Sequence, residues 1–127
     1  MKVEHNAEFR FIAERSRFFA VIFPAADEAA VQKMVRLKKS EQRKAKHHCW
    51  AFRGYEEKGT VNEKSRDDGE VGHPGRVLLE LLRRCDLEGG LLVSRIFGGV
   101  KLGVGGVSRA FRQAGEGAVE EYKKKTK

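Results

Sequence analysis

The sequence predicts an α+β fold, in which a small mixed sheet carries its helices on one face and the elements follow the order β-β-α-β-α-β-α. Two observations support this prediction. Short segments rich in Phe, Val and Ile alternate with longer amphipathic segments, which is typical of strands and helices in one layered domain. The chain has 127 residues, a length that suits one domain able to bury a core without disulfides or metal ions.

The first half of the chain is predicted to form two strands, a helix and a third strand. Their expected ranges are 8–13, 16–23, about 26–45 and 47–52. Pro24 follows the second strand and ends it. Ala30, Met34 and Leu37 fall on one face of the helix, so this face is expected to pack on the core.

The second half begins with a polar stretch, residues 54–70, which we interpret as a long loop or a hairpin. Pro74 then opens a second helix, because no backbone N–H is needed in the first helical turn. Gly89 and Gly90 follow the end of this helix. The remaining elements are expected to be a strand buried on both faces at 91–97, a glycine-rich loop at 98–106 and a third helix at 107–122.

The apolar positions of the later elements define the predicted core. They are Leu78, Leu81, Leu82, Val93, Ile96 and Phe111. Cys49 and Cys85 also fall in apolar patterns and form neither a CxxC pair nor a disulfide framework, so two buried free thiols are expected. Free thiols suit a reducing compartment, and no apolar run approaches the roughly 20 residues that span a bilayer. A cytoplasmic protein without membrane association is therefore expected.

The chain is strongly basic, with a formal net charge of +8 and a pI near 9.7. Such a charge favours acidic partners, which include nucleic acid, an anionic protein surface and a membrane surface. Basic residues are dense in the range 36–46, and Trp50, Phe52 and Tyr55 are candidates for stacking on bases. The alternative is a solvated basic face, and part of the excess charge lies in residues 123–127.

An acidic cluster precedes the second helix. Asp67, Asp68 and Glu70 are close enough in sequence to hold Mg²⁺ if a phosphate ligand completed the site. The structural alternative is that they cap the following helix or pair with Arg76 or Arg95. The sequence assigns no metal ligands and no cofactor.

A second candidate site is the glycine-rich loop between the fourth strand and the third helix. Its glycines are Gly98, Gly99, Gly103, Gly105 and Gly106, with Lys101 among them and Arg109 just beyond. Glycines allow backbone N–H groups to face an anion at a helix N-terminus. The alternative is that they supply tight turns and close packing, because their spacing matches neither of the two common nucleotide-binding glycine motifs.

Three ordered segments carry a recognisable pattern. They are Asp67-Asp68-Gly69-Glu70, Val93-Ser94-Arg95-Ile96-Phe97-Gly98-Gly99-Val100-Lys101-Leu102-Gly103 and Gly105-Gly106-Val107-Ser108-Arg109-Ala110-Phe111. This pattern resembles that of the IMPACT family, whose bacterial branch includes YigZ-like proteins, over about residues 14–122. Two further segments resemble family patterns, namely His47-His48-Cys49-Trp50-Ala51 and Ser16-Arg17-Phe18.

The resemblance implies a fold like the second domain of small-subunit ribosomal protein five, with a left-handed βαβ crossover. It implies a non-catalytic role in translation control during amino-acid starvation, since eukaryotic members restrain the kinase that phosphorylates initiation factor two by competing for its coactivator. Protein partners from the translation-control machinery are therefore expected. The alternative is an RNA-binding or ribosome-binding domain, and a third interpretation is a phosphate-handling enzyme that uses the acidic cluster and the glycine-rich loop.

The resemblance also selects candidate residues for binding an anion or a partner. They are Asp67, Asp68, Gly69, Glu70, Arg76, Arg95, Gly98, Gly99, Lys101, Gly103, Gly105, Gly106 and Arg109. We expect a single domain over residues 1–127, with a recognisable core at about 14–122 and a basic tail at 123–127. Both motifs are expected on one side of this domain, where carboxylates form one wall of a cleft and backbone N–H groups and cations form the other.

Overall fold

The computed structural model describes residues 1–126, which form five strands and three helices. The strands are β1 (Ala7–Ala13), β2 (Ser16–Phe23), β3 (His47–Tyr55), β4 (Val61–Arg66) and β5 (Gly89–Ile96). The helices are α1 (Glu28–Glu41), α2 (Pro74–Arg84) and α3 (Gly103–Lys125). The polar stretch is therefore a hairpin, because β4 returns along β3 and adds a strand to the predicted order.

The strands form one sheet in the order β1-β2-β5-β3-β4, and every hydrogen-bonded pair is antiparallel. The α+β class is confirmed, but the expectation of a mixed sheet is wrong. β2 and β3 run in the same direction, yet β5 lies between them and is antiparallel to both. The α1 segment thus connects two parallel strands that are not neighbours. The left-handed hand of this crossover, which the resemblance implies, stays a prediction.

The helices cover both faces of the sheet, so the expectation of helices on one face is also wrong. The larger core packs α2 and α3 on one face, where Leu91 and Val93 of β5 are fully buried. The smaller core packs α1 on the other face, where it covers Leu92, Trp50 and other residues. Successive side chains of a strand point to opposite faces. The continuous apolar run of β5 therefore needs a cover on both sides, as predicted for that strand.

The predicted core is confirmed except at one position. Leu78, Leu81, Leu82, Val93 and Phe111 are buried in the larger core. Ile96 is only half-buried and is the last residue of β5. It lies three residues after Val93 and so points to the opposite face of the sheet, away from the larger core.

The predicted inward face of α1 is shifted by one residue. Val31 and Val35 are the buried residues of this helix, and Asp27 caps its N-terminus by accepting a hydrogen bond from the Ala30 backbone N–H. Leu37 is 47% exposed, because two residues beyond Val35 correspond to a rotation of about 200° around the helix axis. The helix ends at Glu41 rather than near residue 45.

The third helix begins earlier and ends later than expected. It starts at Gly103, so three glycines of the predicted loop lie in its first turn. It continues through the three lysines at 123–125, whose charge is favourable at a helix C-terminus. Lys127 lies outside the described residues. None of the described helices is sufficiently long and apolar to span a membrane.

Candidate functional site

The candidate site is built around Ser16, at the start of β2, which is fully buried. Its Oγ accepts hydrogen bonds from Arg95 Nη2 at 3.3 Å and from the Gly98 backbone N–H at 3.2 Å. Only glycine fits at position 98, because a Cβ there would lie 2.1 Å from the carbonyl carbon of Arg15. The beginning of β2 and the end of β5 are therefore joined by direct contacts.

Arg95 connects this junction to the acidic cluster. Its Nη1 lies 3.2 Å from Glu70 Oε2, and the side chains of Arg95 and Glu70 are only 7% and 5% exposed. The guanidinium carbon of Arg95 lies 5.7 Å from the ring centre of Phe18 and 5.6 Å from that of Phe97. Both distances are within the range of cation–π attraction. Arg95 Nε has no hydrogen-bond partner within residues 1–126.

The two aspartates hold other parts of the fold. Asp67 Oδ1 accepts a hydrogen bond from the Gly75 N–H at 2.9 Å and so satisfies a free donor in the first turn of α2. Asp68 Oδ2 accepts one from the His48 N–H at 2.8 Å. These contacts match the structural alternative of a helix cap and an ion pair. Throughout residues 1–126, no three His, Cys, Asp or Glu side chains are grouped so that they could hold a metal ion.

The glycine-rich segment, residues 98–106, leads directly into α3. Gly99 and Gly103 have φ angles of +87° and +73°, in the region where side chains are strained. Leu102, at the N-cap position, makes no side-chain hydrogen bond to the helix, and the first turn of α3 contains no acidic residue. The positive end of this helix is therefore not neutralised by its own sequence.

The two motifs lie on the same side of the domain, as expected. Ser108 of α3 donates a hydrogen bond to the Gly72 carbonyl oxygen at 2.6 Å. An open cavity of about 350 Å³ lies beside this contact. We call it the apolar cavity, and the residues that line it are Val71, Arg95, Phe97, Lys101, Leu102, Gly103, Val104 and Val107.

The expected wall of carboxylates does not line this cavity, because Glu70 points inward to Arg95 and the two aspartates point to α2 and β3. Apolar side chains take their place. Val71, Phe97 and Val104 are 51%, 57% and 61% exposed. The predicted cations Arg76, Lys101 and Arg109 are also exposed. The site therefore combines an apolar surface with nearby positive charge.

The aromatic residues proposed for base stacking are mostly inaccessible. Trp50 and Phe52 are 4% and 1% exposed, because α1 covers their face of the sheet. The prediction that they stack on bases is therefore wrong. Tyr55 is exposed, and the guanidinium carbon of Arg53 lies 5.6 Å from its ring centre.

Both cysteines are free, as predicted. Cys49 is fully buried, and its Sγ lies 3.1 Å from the Asp67 carbonyl oxygen. Burial raises the pKa of Cys49 far above the ordinary value, and the carboxylates of Glu70, Asp68 and Asp67 raise it further. Cys85, at the C-cap position of α2, is partly exposed, so the expectation of a buried thiol is wrong at this position. The slow reaction of both thiols in the native state stays a prediction.

The sequence interpretation missed the apolar residues of the site, although one signal was present. Val104 lies three residues before Val107, so it continues the apolar stripe of α3 into the first turn of the helix, where it is exposed. It also missed that Ser16 is the common hydrogen-bond acceptor of the junction. Its side-chain contacts join segments about 80 residues apart, and residue spacing does not reveal such contacts.

Comparison with solved structures first confirms the fold. The crystal structure of a hypothetical protein superposes with a TM-score of 0.84 at 24% identity, over 92% of this chain and 58% of that one. The structure of the two-domain translational regulator Yih1 gives a TM-score of 0.52 at 28% identity, over 92% of this chain and 45% of that one.

Comparison of sequences then shows the family. The family model of the Impact N-terminal domain matches residues 14–119. IMPACT family member YvyE from Bacillus subtilis is 33% identical over 86% of this chain and 50% of its own length. A second member from Thermus thermophilus is 40% identical over 79% of this chain and 52% of its own. This chain belongs to the IMPACT family.

The match to longer proteins is partial. Protein IMPACT from Bos taurus is 40% identical over 70% of this chain, which corresponds to 29% of the bovine protein. The chain spans about half the length of the first two bacterial relatives.

Proposed function

We propose that this chain is a non-catalytic regulatory module of translation control that acts by binding protein partners during the response to amino-acid starvation. The observation that carries the proposal is family membership, together with the similarity to the translational regulator Yih1. An exposed apolar cavity beside the family motifs supports binding as the activity. The two free thiols support a cytoplasmic location.

A translation assay tests this proposal. The purified chain is added to a cell-free translation extract, and reporter synthesis is measured with amino acids supplied and with amino acids depleted. We expect the chain to change synthesis in the depleted extract more than in the supplied one. A basic protein of similar size and net charge is the control for nonspecific binding to RNA. Equal effects of the chain and this control would contradict the proposal.

An RNA-binding or ribosome-binding domain is the second candidate function, because the chain carries a net charge of +8. Exposed basic residues near the end of α1 and after it support this alternative, and they are Arg36, Lys39, Arg43, Lys44 and Lys46. Partners captured on the immobilised chain with and without nuclease distinguish the two functions. Partners that nuclease removes favour the RNA candidate, whereas those that resist nuclease favour the regulatory module.

A further inference from the structure

We propose that the apolar cavity binds an acidic segment of a partner protein, in which one large apolar side chain is flanked by carboxylates. This inference rests on the proposed function and names the surface and the chemistry of the partner. Phe97 and Val104 are both more than half exposed on the cavity. Exposed apolar residues grouped around one concave surface are typical of a binding site.

The volume of the cavity limits the occupant. About 350 Å³ is near the lower end of the range for small-molecule pockets, and it suits one large side chain or two smaller ones. A single apolar anchor at a small interface is typical of a transient complex. The cavity is therefore suited to a short segment rather than to the flat face of a domain.

The charge around the cavity favours an acidic segment. Lys101 lines the cavity, and the guanidinium of Arg109 lies close to Gly105 in the first turn of α3. The first turn contains no acidic residue, and Leu102 provides no side-chain cap. A carboxylate of the partner placed beside Lys101 is attracted both by this cation and by the positive end of the helix.

Arg95 also lines the cavity, but its charge is balanced inside the fold. Its side chain is 7% exposed and forms an ion pair with Glu70 of the acidic cluster, at 3.2 Å. Glu70 therefore compensates the buried Arg95, and Lys101 remains as an exposed positive charge beside the apolar surface.

Other occupants fit these observations less well. A second copy of the chain would bring Lys101 towards its own equivalent in a symmetric pair, and each copy carries a net charge of +8. RNA has no large aliphatic group to fill a cavity formed by Val71, Leu102 and Val104. An anionic membrane is bound by apolar side chains that protrude, whereas these side chains surround a depression.

Three blocked hexapeptides of equal length test the proposal against the ¹⁵N-labelled chain by NMR. The first is Asp-Glu-Trp-Leu-Glu-Asp, the second has Lys and Arg at its four charged positions, and the third has Ser and Gly in place of Trp-Leu. At about 1 mM peptide, a concentration that detects weak complexes, we expect only the first to shift the amide signals of residues 97–107. Equal shifts by all three peptides, or no shift by the first, would overturn the proposal.

Matched variants identify the surface. Val104→Ser removes an apolar group from the cavity, and we expect it to weaken binding of the first peptide about tenfold. Val61→Ser is the control, because Val61 is an exposed valine on β4, outside the residues that line the cavity. Lys101→Glu is expected to weaken binding of the first peptide more at low salt than at high salt. Equal losses in Val104→Ser and Val61→Ser would overturn the proposal.

RNA and anionic membranes, the other possible occupants of the cavity, are tested with the amide signals of the same residues. A single-stranded RNA dodecamer or vesicles with anionic headgroups overturn the proposal if they shift residues 97–107 more strongly than the acidic peptide does. The translation assay separates this inference from the proposed function. If Val104→Ser acts on translation like the unchanged chain, the site is wrong and the function stands. If the peptide binds as expected but translation is unaffected, the function is wrong and the site stands.

Discussion

The acidic cluster and the glycine-rich segment are the two strongest motifs of the sequence, yet they differ in physical role. The acidic cluster directs its side chains inward, where Glu70 pairs with Arg95 and Asp67 caps α2. The glycine-rich segment leaves Phe97 at its start and Val104 within it exposed to solvent. A recognisable motif therefore identifies a family without showing whether its residues hold the fold or contact a partner.

The difference leads to opposite expectations for substitutions. Changes in the acidic cluster should lower stability, because each carboxylate satisfies a donor inside the fold. Changes in the exposed part of the glycine-rich segment should alter binding with little effect on stability.

The largest effect is expected for Glu70→Ala. This change leaves Arg95 buried without its carboxylate partner, and the loss of one member of a buried pair costs about 3–5 kcal/mol of unfolding free energy. Chemical denaturation measures the loss. Glu70→Gln is the control, because it retains a hydrogen-bond acceptor for Arg95 and should be less destabilising. A Glu70→Ala variant as stable as the unchanged chain would show that the acidic cluster does not hold the fold.

The next largest effect is expected for a core residue outside both motifs, and it provides a stability loss with which the Glu70 variants can be compared. Leu82 is fully buried between α2 and the sheet, so Leu82→Ala should cost about 2–5 kcal/mol through lost burial and the cavity that remains. The melting temperature and the denaturant midpoint should both fall. An unchanged melting temperature would mean that α2 does not pack on the sheet through Leu82. The loss measured for Glu70→Ala could then not be compared with that of a core residue.

A pH effect is expected at His48, whose backbone N–H is held by Asp68. Burial lowers the pKa of His48 in the folded state, and the nearby Asp68 opposes this shift only in part. The unfolded chain therefore binds a proton more readily than the folded one. The stability contribution is complete above the unfolded pKa, near 6.5, and is lost as the pH falls towards the folded value.

The slope of this loss is at most about 1.4 kcal/mol per pH unit for one group. The change of unfolding free energy with pH is measured from unfolding curves at several pH values, from 7 down to the lowest pH at which the chain folds. The same curves are recorded for the His48→Gln variant. The glutamine variant should lose part of the pH dependence. Identical pH profiles in both proteins would assign the acid sensitivity to the carboxylates instead.

A smaller effect is expected for Asp67→Ala, which removes the acceptor for the Gly75 N–H in the first turn of α2. Loss of a helix-capping side chain costs about 0.5–2 kcal/mol. Asp67→Asn is the control, since its amide oxygen can accept the same hydrogen bond. Both variants should bind the acidic peptide like the unchanged chain, and a selective loss of binding would place Asp67 in the partner surface.

Much of the fold was predictable because burial follows periodicity. The apolar stripes of α2 and α3 and the two-sided burial of β5 gave five of the six predicted core residues correctly. The sheet type was not predictable in the same way, because the hydrogen-bond partners of β5 depend on connections that cross the sheet. The strand β4 was predicted only as one of two alternatives, a loop or a hairpin, since its polar side chains show no alternation of buried residues.

The candidate site was predictable in position but not in chemistry. Motif order placed the acidic cluster and the glycine-rich segment on one side of the domain. The charged residues of the two motifs predicted a polar cleft. The carboxylates instead bind donors within the fold, which a sequence does not show. Phe97 directly follows the last residue of β5 and Val104 lies in the first turn of α3, and both are more than half exposed. Exposure of this kind is a property of the tertiary structure.

The smallest expected effect is a gain in stability, and it tests why the glycines are present. Gly105 lies in the first turn of α3 and lacks a positive φ angle, and the atom nearest to an added Cβ is Arg109 Nη1, at 3.3 Å. This flexible side chain can move, so Gly105→Ala should raise the unfolding free energy by up to about 1 kcal/mol. Gly103→Ala is the matched control, because its φ angle of +73° makes any side chain strained. If Gly105→Ala is more stable but binds the acidic peptide less tightly, the bare backbone at this position serves the partner. If binding is unchanged, the helix N-terminus tolerates a side chain there, and recognition depends on the apolar cavity and its cations.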